Sequence, residues 1–139
     1  MKQHSATLTF HTRGPGLTDI TREVERALAR AEIGEGLLTL FIRHTSASLV
    51  VQENADPDVL HDLEQFLRRI VSRDMSLYAH TAEGPDDMPG HIRSALTQTA
   101  LSIPVRGAEM VLGTWQAIYL WEHRDRPHTR EIALHVIGV

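Results

Sequence analysis

Alternating apolar residues near the start of the chain predict a strand, and helical spacing after it predicts an amphipathic helix. Ala6, Leu8 and Phe10 are separated by polar residues, which is the pattern of a half-buried strand. From Thr18 onward, apolar residues recur every three or four positions. We therefore predict a helix over 18–32 with Thr18 as its N-cap.

The middle of the chain predicts two more strands and two more helices. In residues 37–43, Leu38, Leu40 and Ile42 share one apolar face, which predicts a strand, and the short apolar run 49–51 is typical of a buried strand. Asp56 followed by Pro57 indicates a helix start, because aspartate accepts backbone hydrogen bonds at the N-cap and proline fits the first turn. A short helix is predicted over Met88–Thr97, beginning near Asp87 or Met88.

The last third of the chain predicts strands joined by short turns. These strands are expected at residues 101–105, 109–113, 115–124 and 130–137. Short connections between neighbouring strands favour antiparallel pairing. Helices and strands mix without a regular βαβ repeat, so we predict an α+β fold. In it, antiparallel sheets pack against two main helices and one short helix, in a single compact domain covering residues 1–139.

Composition narrows the class of protein. The chain has 139 residues, of which 42% are hydrophobic and 23% charged, and this suits one globular domain. It contains no cysteine, which excludes disulfides and thiolate metal ligands and fits a reducing compartment. The net charge of −4 argues against a nucleic-acid partner, and the apolar runs are too short for a membrane span. We therefore expect a cytoplasmic protein with neither a nucleic-acid nor a membrane partner.

The densest cluster of reactive side chains lies between residues 78 and 94. Glycines and prolines there separate two histidines and three carboxylates: His80, Glu83, Asp86, Asp87 and His91. Metal binding, proton transfer and phosphate binding all require such groups at close range. The spacing matches no HExxH or CxxC motif. Asp87 also has the position of a helix cap, so a ligand and a cap are both open interpretations.

A second polar cluster, His44 to Ser48, follows the strand predicted over 37–43. Its three hydroxyl groups can bind an anion or can stabilise their own turn. His44 falls at the end of the apolar face of that strand. We expect this cluster and the segment containing His80 and His91 to form two walls of one site.

The strand predicted over 115–124 has two distinct faces. One face carries Gln116, Ile118, Leu120, Glu122 and Arg124, and the other carries Trp115, Ala117, Tyr119, Trp121 and His123. The aromatic face is expected to lie in the core or in a subunit interface. Two interpretations of the polar positions are open: Glu122 and Arg124 can pair with each other across a sheet edge, and Gln116 and Glu122 can line different parts of one pocket.

Several short motifs together resemble one known family. They are His44-Thr45-Ser46-Ala47-Ser48-Leu49, Glu53-Asn54-Ala55-Asp56-Pro57, Asp62-Leu63, His80, Glu83-Gly84-Pro85-Asp86-Asp87-Met88, His91-Ile92-Arg93-Ser94, Leu112-Gly113-Thr114-Trp115-Gln116, Glu122-His123-Arg124 and Arg130. The chain resembles the YjbQ family, an uncharacterised family often labelled secondary thiamine-phosphate synthase, over nearly its whole length. It departs from the pattern at Arg93, where many relatives carry lysine, and at Gly90, where many carry alanine.

The resemblance implies a homotrimer with a polar site built from the two histidine segments. That site would hold a metal ion or an anion at a subunit boundary. The implied activity is on phosphorylated small molecules, and the candidate reaction couples a pyrimidine diphosphate to a thiazole phosphate with release of diphosphate. The rival hypothesis is a non-enzymatic trimer that binds a metal or another ligand.

The resemblance and the side-chain chemistry together assign roles to individual residues. The catalytic groups are expected to be His44, His80, His91 and Asp87. The phosphorylated ligand or cofactor is expected to bind Thr45, Ser46, Arg93, Ser94 and Gln116. A divalent metal is expected to bind His44, His80, His91, Glu83 and Asp86. Carboxylates and hydroxyls would suit Mg²⁺, whereas a set of three histidines would suit Zn²⁺.

Overall fold

Three α-helices and eight strands form the molecule, and this computed structural model describes all 139 residues. The helices are α1 (Thr21–Ala31), α2 (Pro57–Ile70) and α3 (Asp87–Leu96), with a 3₁₀ turn at Met75–Leu77. The strands are β1 (Lys2–His11), β2 (Gly16–Asp19), β3 (Glu35–Ile42), β4 (Ala47–Glu53), β5 (Ala100–Arg106), β6 (Glu109–Met110), β7 (Gln116–Glu122) and β8 (Thr129–Gly138). None of the helices combines the length and apolar character needed to span a membrane.

The strands form two sheets in which every pair is antiparallel. The larger sheet has the order β1-β8-β3-β5-β6, and the smaller has the order β2-β7-β4. β1 and β8 pair from Lys2 opposite Gly138 to His11 opposite Thr129. The predicted α+β fold, with antiparallel sheets, two main helices and one short helix, is confirmed.

One apolar core lies between the two sheets and α1. Leu38 and Leu40 of β3, Val24 and Leu28 of α1, and Leu120 of β7 all belong to one cluster of 18 buried residues. Each such side chain gains about 1.5–3 kcal/mol when it leaves water. Because a strand directs alternate side chains to opposite faces, the other face of the larger sheet points away from this core.

The first helix begins later than the sequence predicted. Residues 16–19 form β2, in which Gly16 lies opposite Glu122 and Asp19 lies opposite Tyr119. The predicted cap at Thr18 is therefore wrong, and α1 starts at Thr21, whose backbone N–H donates to Oδ1 of Asp19 at 2.9 Å. Pairing with a strand about a hundred residues away outweighed the local helical spacing, which a sequence window cannot detect.

The starts of α2 and α3 agree closely with the sequence. Asp56 is the N-cap of α2 and Pro57 is its first residue, and the side chain of Asp56 accepts a hydrogen bond from the backbone N–H of Asp58 at 2.9 Å. α3 begins at Asp87, one of the two predicted starts, and because Asp86 occupies the N-cap position, the interpretation of Asp87 as the cap is wrong.

The aromatic face of β7 is part of the interior of this one chain. Tyr119 and Trp121 are each 4% exposed. Trp121 donates through Nε1 to Oε2 of Glu64 in α2 at 2.6 Å, so α2 covers this face. Of the two locations that the sequence left open, the core is therefore the one observed. Trp115 differs, because it precedes β7 and is 63% exposed.

Two glycines that face each other predict a sharp limit on side-chain size. Gly36 of β3 pairs with Gly138 of β8, and a Cβ added at Gly36 would lie 2.2 Å from the carbonyl oxygen of Ile137. Gly36→Ala must therefore shift backbone, and we expect it to reduce the free energy of unfolding by about 2–4 kcal/mol in urea titrations.

Gly34→Ala is the matched control for that substitution. A Cβ at Gly34 would meet the carbonyl oxygen of Val139 at 3.7 Å, which is an ordinary contact. This variant should stay within about 1 kcal/mol of the parent. Equal stability of the two alanine variants would contradict the proposed steric limit at Gly36.

Candidate functional site

The polar site is built on the end of β7, where Glu122 is buried and fully hydrogen-bonded. Oε1 of Glu122 accepts from Nε of Arg130 at 2.8 Å and from the hydroxyl of Thr12 at 2.7 Å. Oε2 accepts from the backbone N–H groups of His123 and Arg124, both at 3.1 Å. Burial alone would raise the pKa of Glu122, but the hydrogen bonds from Arg130 and Thr12 outweigh it, so the pKa lies below its ordinary value.

Arg130 connects this carboxylate to the turn between β3 and β4. Its Nη2 donates to the carbonyl and hydroxyl oxygens of Ser46, at 3.2 and 3.0 Å. It also donates to Oε2 of Glu122, so that glutamate and arginine form the buried ion pair. The interpretation in which Glu122 pairs with the side chain of Arg124 is therefore wrong. The chain bends after β7, and only the backbone N–H of Arg124 reaches Glu122.

The side chain of Arg124 turns instead toward the start of α3 and contacts two consecutive carboxylates. Its Nε lies 2.9 Å from Oδ2 of Asp86, and its Nη1 lies 3.0 Å from Oδ1 of Asp87. The hydrogen bond from Arg124, aided by the backbone N–H of Asp125, lowers the pKa of Asp86 to about 2. Asp86, a predicted metal ligand, is thus engaged by arginine. Glu83 contacts Arg124 only through its carbonyl oxygen, at 3.2 Å.

Asp87 joins the two histidines of the loop and α3. Its Oδ2 lies 2.8 Å from Nε2 of His80 and 3.2 Å from Nε2 of His91. One ligand atom from each of these three residues lies within 4.8 Å of the other two. The carboxylate of Asp87 is 5% exposed, whereas the side chains of His80 and His91 are 53% and 33% exposed. The cluster therefore has a buried floor and an open side.

The hydrogen bond of His91 determines which of its nitrogens carries a proton. Nδ1 lies 3.1 Å from the carbonyl oxygen of Thr45, and a carbonyl can only accept, so Nδ1 is the protonated nitrogen. In the neutral ring, Nε2 then directs a lone pair at Oδ2 of Asp87. Two lone pairs at 3.2 Å repel each other, and either a proton or a metal cation between them removes that repulsion. Two imidazoles and one carboxylate fit Zn²⁺ and similar transition metals.

Gly90 lets α3 approach the strand end closely. A Cβ at this position would lie 3.2 Å from Cδ of Arg124 and 3.4 Å from Cβ of Ser46. The spacing between α3 and the end of β7 therefore depends on a residue without a side chain.

His44 lies apart from this cluster of three residues within the chain. Its Nε2 accepts a hydrogen bond from the backbone N–H of Glu131 at 2.8 Å, so that nitrogen is not free to ligate a metal. Burial, followed by the charge of Arg130, lowers the pKa of His44. The three residues whose ligand atoms converge are His80, Asp87 and His91, whereas the sequence predicted His44 as the third member beside the two histidines.

The residues predicted to bind the phosphorylated ligand fall in several places. The hydroxyl of Ser46 accepts from Arg130, and Ser94 donates its hydroxyl to the carbonyl oxygen of Ala47 at 3.2 Å. Thr45 is exposed beside His91. Gln116 starts β7, at the opposite end from Glu122, and its Oε1 accepts from the backbone N–H of Gly113 at 2.7 Å. Of these four residues, Ser46, Ser94 and Thr45 border the histidine cluster or its support, and Gln116 does not.

The fifth predicted ligand-binding residue, Arg93, lies behind the cluster and is 1% exposed. Its Nη1 donates to the carbonyl oxygen of His123 at 3.3 Å, while its Nε makes no hydrogen bond. The ring of His123 lies 2.8 Å through Nε2 from the hydroxyl of Ser48. Burial, with the charge of Arg93 second, lowers the pKa of His123 to about 3. His123 is thus a neutral structural residue of the site's support.

Sequence reasoning missed the central contribution of Arg124. Its position on the same predicted face as Glu122 was visible, but the direction of a side chain beyond the end of a strand depends on the bend there. The available signal was the run Glu122-His123-Arg124 within an otherwise apolar strand, because consecutive polar residues at a strand end often serve a site.

Comparisons with known proteins agree along the whole chain. A sequence model of the family described as UPF0047 protein YjbQ-like matches residues 6–139. A UPF0047 protein from Synechocystis sp. is 49% identical over 137 residues, covering 99% of this chain and 93% of that protein. The YjbQ protein of Escherichia coli O157:H7 is 43% identical over 136 residues, covering 97% of this chain and 98% of that protein.

A solved structure shares the fold. The crystal structure of a conserved hypothetical protein from Thermus thermophilus superimposes with a TM-score of 0.82 at 36% identity. The match covers 93% of this chain and 97% of that chain. The arrangement of sheets and helices described above is therefore that of an experimentally determined relative.

The buried, neutral His123 predicts a specific dependence of stability on pH. Its pKa is about 3 in the folded state and 6.5 as the reference for the unfolded state. Between these values the unfolded chain binds a proton that the folded chain does not bind, so stability is retained above 6.5 and falls as pH drops toward 3. When the pH falls from about 7 to about 4.5, the free energy of unfolding should decrease in both proteins. We expect the decrease to be up to about 2 kcal/mol smaller in His123→Asn than in the parent.

Urea unfolding at the two pH values measures this difference, and His61→Asn is the matched control. His61 is exposed on α2, so replacing it should leave the parent's pH dependence in place. An identical loss of stability in the parent and in His123→Asn would show that His123 does not carry this proton linkage.

Proposed function

The chain belongs to the UPF0047 YjbQ-like family, and we propose that it is a cytoplasmic, metal-dependent enzyme that acts on phosphorylated small molecules. The candidate reaction is thiamine-phosphate synthesis. The absence of cysteine fits the reducing cytoplasm. The proposal concerns the chemistry of one cluster, formed by His80, Asp87 and His91.

One observation carries the proposal, namely the carboxylate oxygen that faces two imidazole nitrogens. Oδ2 of Asp87 lies 2.8 Å from His80 Nε2 and 3.2 Å from His91 Nε2. A structural salt bridge needs one histidine rather than two, and both histidines are partly open to solvent. Three donors that converge beside an open side leave coordination positions for a ligand, which is the arrangement of catalytic rather than structural metal sites.

Each residue of the cluster has a distinct part in this proposal. His80, Asp87 and His91 would hold the metal, which when bound supplies positive charge to neutralise a departing diphosphate. Thr45 offers an exposed hydroxyl beside His91. Asp87, with its Oδ1 fixed by Arg124, orients the imidazole of His80.

A polar cavity next to the cluster supports a phosphorylated ligand. It has a volume of about 310 Å³, and its walls include no apolar side chain except those of prolines. Arg124, Arg126 and His128 line it together with Glu83 and Asp86. Arg126 is exposed and free of ion pairs, so its guanidinium is available to phosphate oxygens.

The candidate reaction balances without an added oxidant or base. The bond between the pyrimidine methylene carbon and the diphosphate oxygen breaks, and the thiazole nitrogen forms the new carbon–nitrogen bond with its lone pair. The products are thiamine phosphate and diphosphate. The chain must therefore neutralise a leaving group and align two substrates, which requires a cationic centre and a polar cavity more than a strong base.

We expect purified protein to bind Zn²⁺ in a one-to-one ratio and to form thiamine phosphate from the two substrates. His80→Ala, His91→Ala and Asp87→Asn should each weaken Zn²⁺ binding at least about tenfold, because each removes a ligand or its charge. Metal analysis of untagged protein measures occupancy, and chromatographic detection of thiamine phosphate measures turnover.

His61→Ala is the control, since His61 is exposed on α2 and its side chain hydrogen-bonds to Asp62, outside the cluster. Full Zn²⁺ retention by the double variant His80→Ala/His91→Ala would reject the metal site. Tight Zn²⁺ binding without any product would instead favour the non-enzymatic metal-binding protein.

We also propose that the protein is a homotrimer in which the outer face of the larger sheet is covered by other copies. This face exposes Leu37, Phe41 and Ile137 to 42%, 49% and 41%. A shallow groove of about 420 Å³ crosses it between Thr7 and His135. Large apolar side chains grouped on one open sheet face are typical of surfaces that associate.

Light scattering should give three times the 15.6 kDa chain mass at micromolar concentration. Phe41→Arg should reduce the measured mass, because a charge at a buried interface is unfavourable. Phe66→Arg on α2 changes an equally exposed phenylalanine (51%) and should leave the mass unchanged. A monomer mass for the parent would contradict the trimer.

A further inference from the structure

Arg124 contacts the proposed metal ligand Asp87 on the side away from the histidines. Nη1 of Arg124 lies 3.0 Å from Oδ1 of Asp87, whereas Oδ2 of the same carboxylate faces His80 and His91. The two oxygens of Asp87 therefore have different partners. Arg124 is 17% exposed and Asp87 is 5% exposed in their side chains, so water does not compete strongly for this contact.

The same guanidinium also binds the neighbouring carboxylate. Nε of Arg124 lies 2.9 Å from Oδ2 of Asp86, and Nη2 lies 3.4 Å from its Oδ1. The backbone N–H of Asp125 adds a further hydrogen bond to Oδ2 at 3.0 Å. Asp86 directly precedes Asp87 in sequence and shares Arg124 with it, so its carboxylate is a candidate additional ligand once Arg124 is removed.

We propose that Arg124 is a positioning residue that sets the metal preference of the His80–Asp87–His91 cluster. By occupying Oδ1 of Asp87 and both oxygens of Asp86, it restricts the protein's donors to two imidazole nitrogens and one carboxylate oxygen. This inference rests on the proposed metal site. It gives Arg124 a role that neither the ligand set nor the fold assigns.

Ligand chemistry connects the donor count to metal choice. Nitrogen-rich sites with few donors favour Zn²⁺, whereas Mn²⁺ and Mg²⁺ favour more carboxylate oxygens and six-coordinate geometry. Without Arg124, Asp87 can bind through both oxygens and Asp86 becomes available. The site would then offer up to four carboxylate oxygens in place of one.

The charge of Arg124 acts on all divalent ions alike. A nearby positive charge repels Zn²⁺ and Mn²⁺ equally, because both carry two charges. Removing it should therefore tighten the binding of both ions. The ratio of their dissociation constants cancels this common effect and reports only the change in donors.

Titrations of the purified full-length protein with Zn²⁺ alone and Mn²⁺ alone test the inference. We expect Arg124→Met to lower the ratio of the Mn²⁺ to the Zn²⁺ dissociation constant by about tenfold or more. Arg124→Lys keeps the charge but cannot contact both carboxylates, and it should lower the ratio to a smaller extent. If Arg124→Met does not fold, Arg124→Lys alone still decides the question.

A second substitution distinguishes the effect of releasing Asp86 from the effect of releasing Oδ1 of Asp87. Arg124→Met/Asp86→Asn should regain a large part of the parent's ratio, because the amide cannot supply the charge of the released Asp86. Arg43→Met is the matched control, since Arg43 forms an exposed ion pair with Glu131 at 3.1 Å, outside the cluster. This variant should leave the ratio unchanged.

The outcomes distinguish the two proposals. Zn²⁺ binding by the parent with an unchanged ratio in both Arg124 variants would overturn the role of Arg124 and leave the metal site standing. Absence of Zn²⁺ and Mn²⁺ binding by the parent would overturn the metal site, and the role of Arg124 with it.

Discussion

The buried carboxylate of Glu122 is the constraint on which the rest of the site depends. It joins the ends of β1, β7 and β8 through Thr12 and Arg130 and fixes two consecutive backbone N–H groups beyond β7. Losing one member of a buried ion pair costs about 3–5 kcal/mol, because the partner is left charged and uncompensated. This carboxylate therefore defines where the strand ends and in which direction Arg124 leaves it.

From the end of β7, a continuous series of hydrogen bonds and ion pairs extends toward the surface through the carboxylates of Asp86 and Asp87. Arg124 holds Asp86 and Asp87, and Asp87 directs its remaining oxygen to His80 and His91. Interactions within such networks strengthen one another in a medium of low polarity. The partly exposed histidines are consequently oriented by side chains that are themselves mostly buried.

The sequence predicted the parts of this arrangement that depend on local pattern. Asp56 followed by a proline marked the start of α2, and the density of titratable residues marked the segment with His80 and His91. The prediction failed where pairing with a strand far away in sequence determines the local structure. Thr18 is an example, because it pairs with β7 as part of β2 and does not belong to a helix. The prediction also grouped His44 with the other histidines, because spacing cannot reveal that a strand's backbone N–H occupies its Nε2.

Gly90 couples the position of the site residues on α3 to the packing of that helix against the end of β7. α3 carries Asp87 and His91, and it rests on Arg124 and Ser46 at a point where a Cβ would already be crowded. A relative with a larger residue at this position must hold the helix farther from the strand end or reshape the arginine beneath it. Divergence at positions 90 and 124 should therefore be correlated, and a substitution at a residue that offers no ligand atom becomes a route by which evolution changes what the cluster accepts.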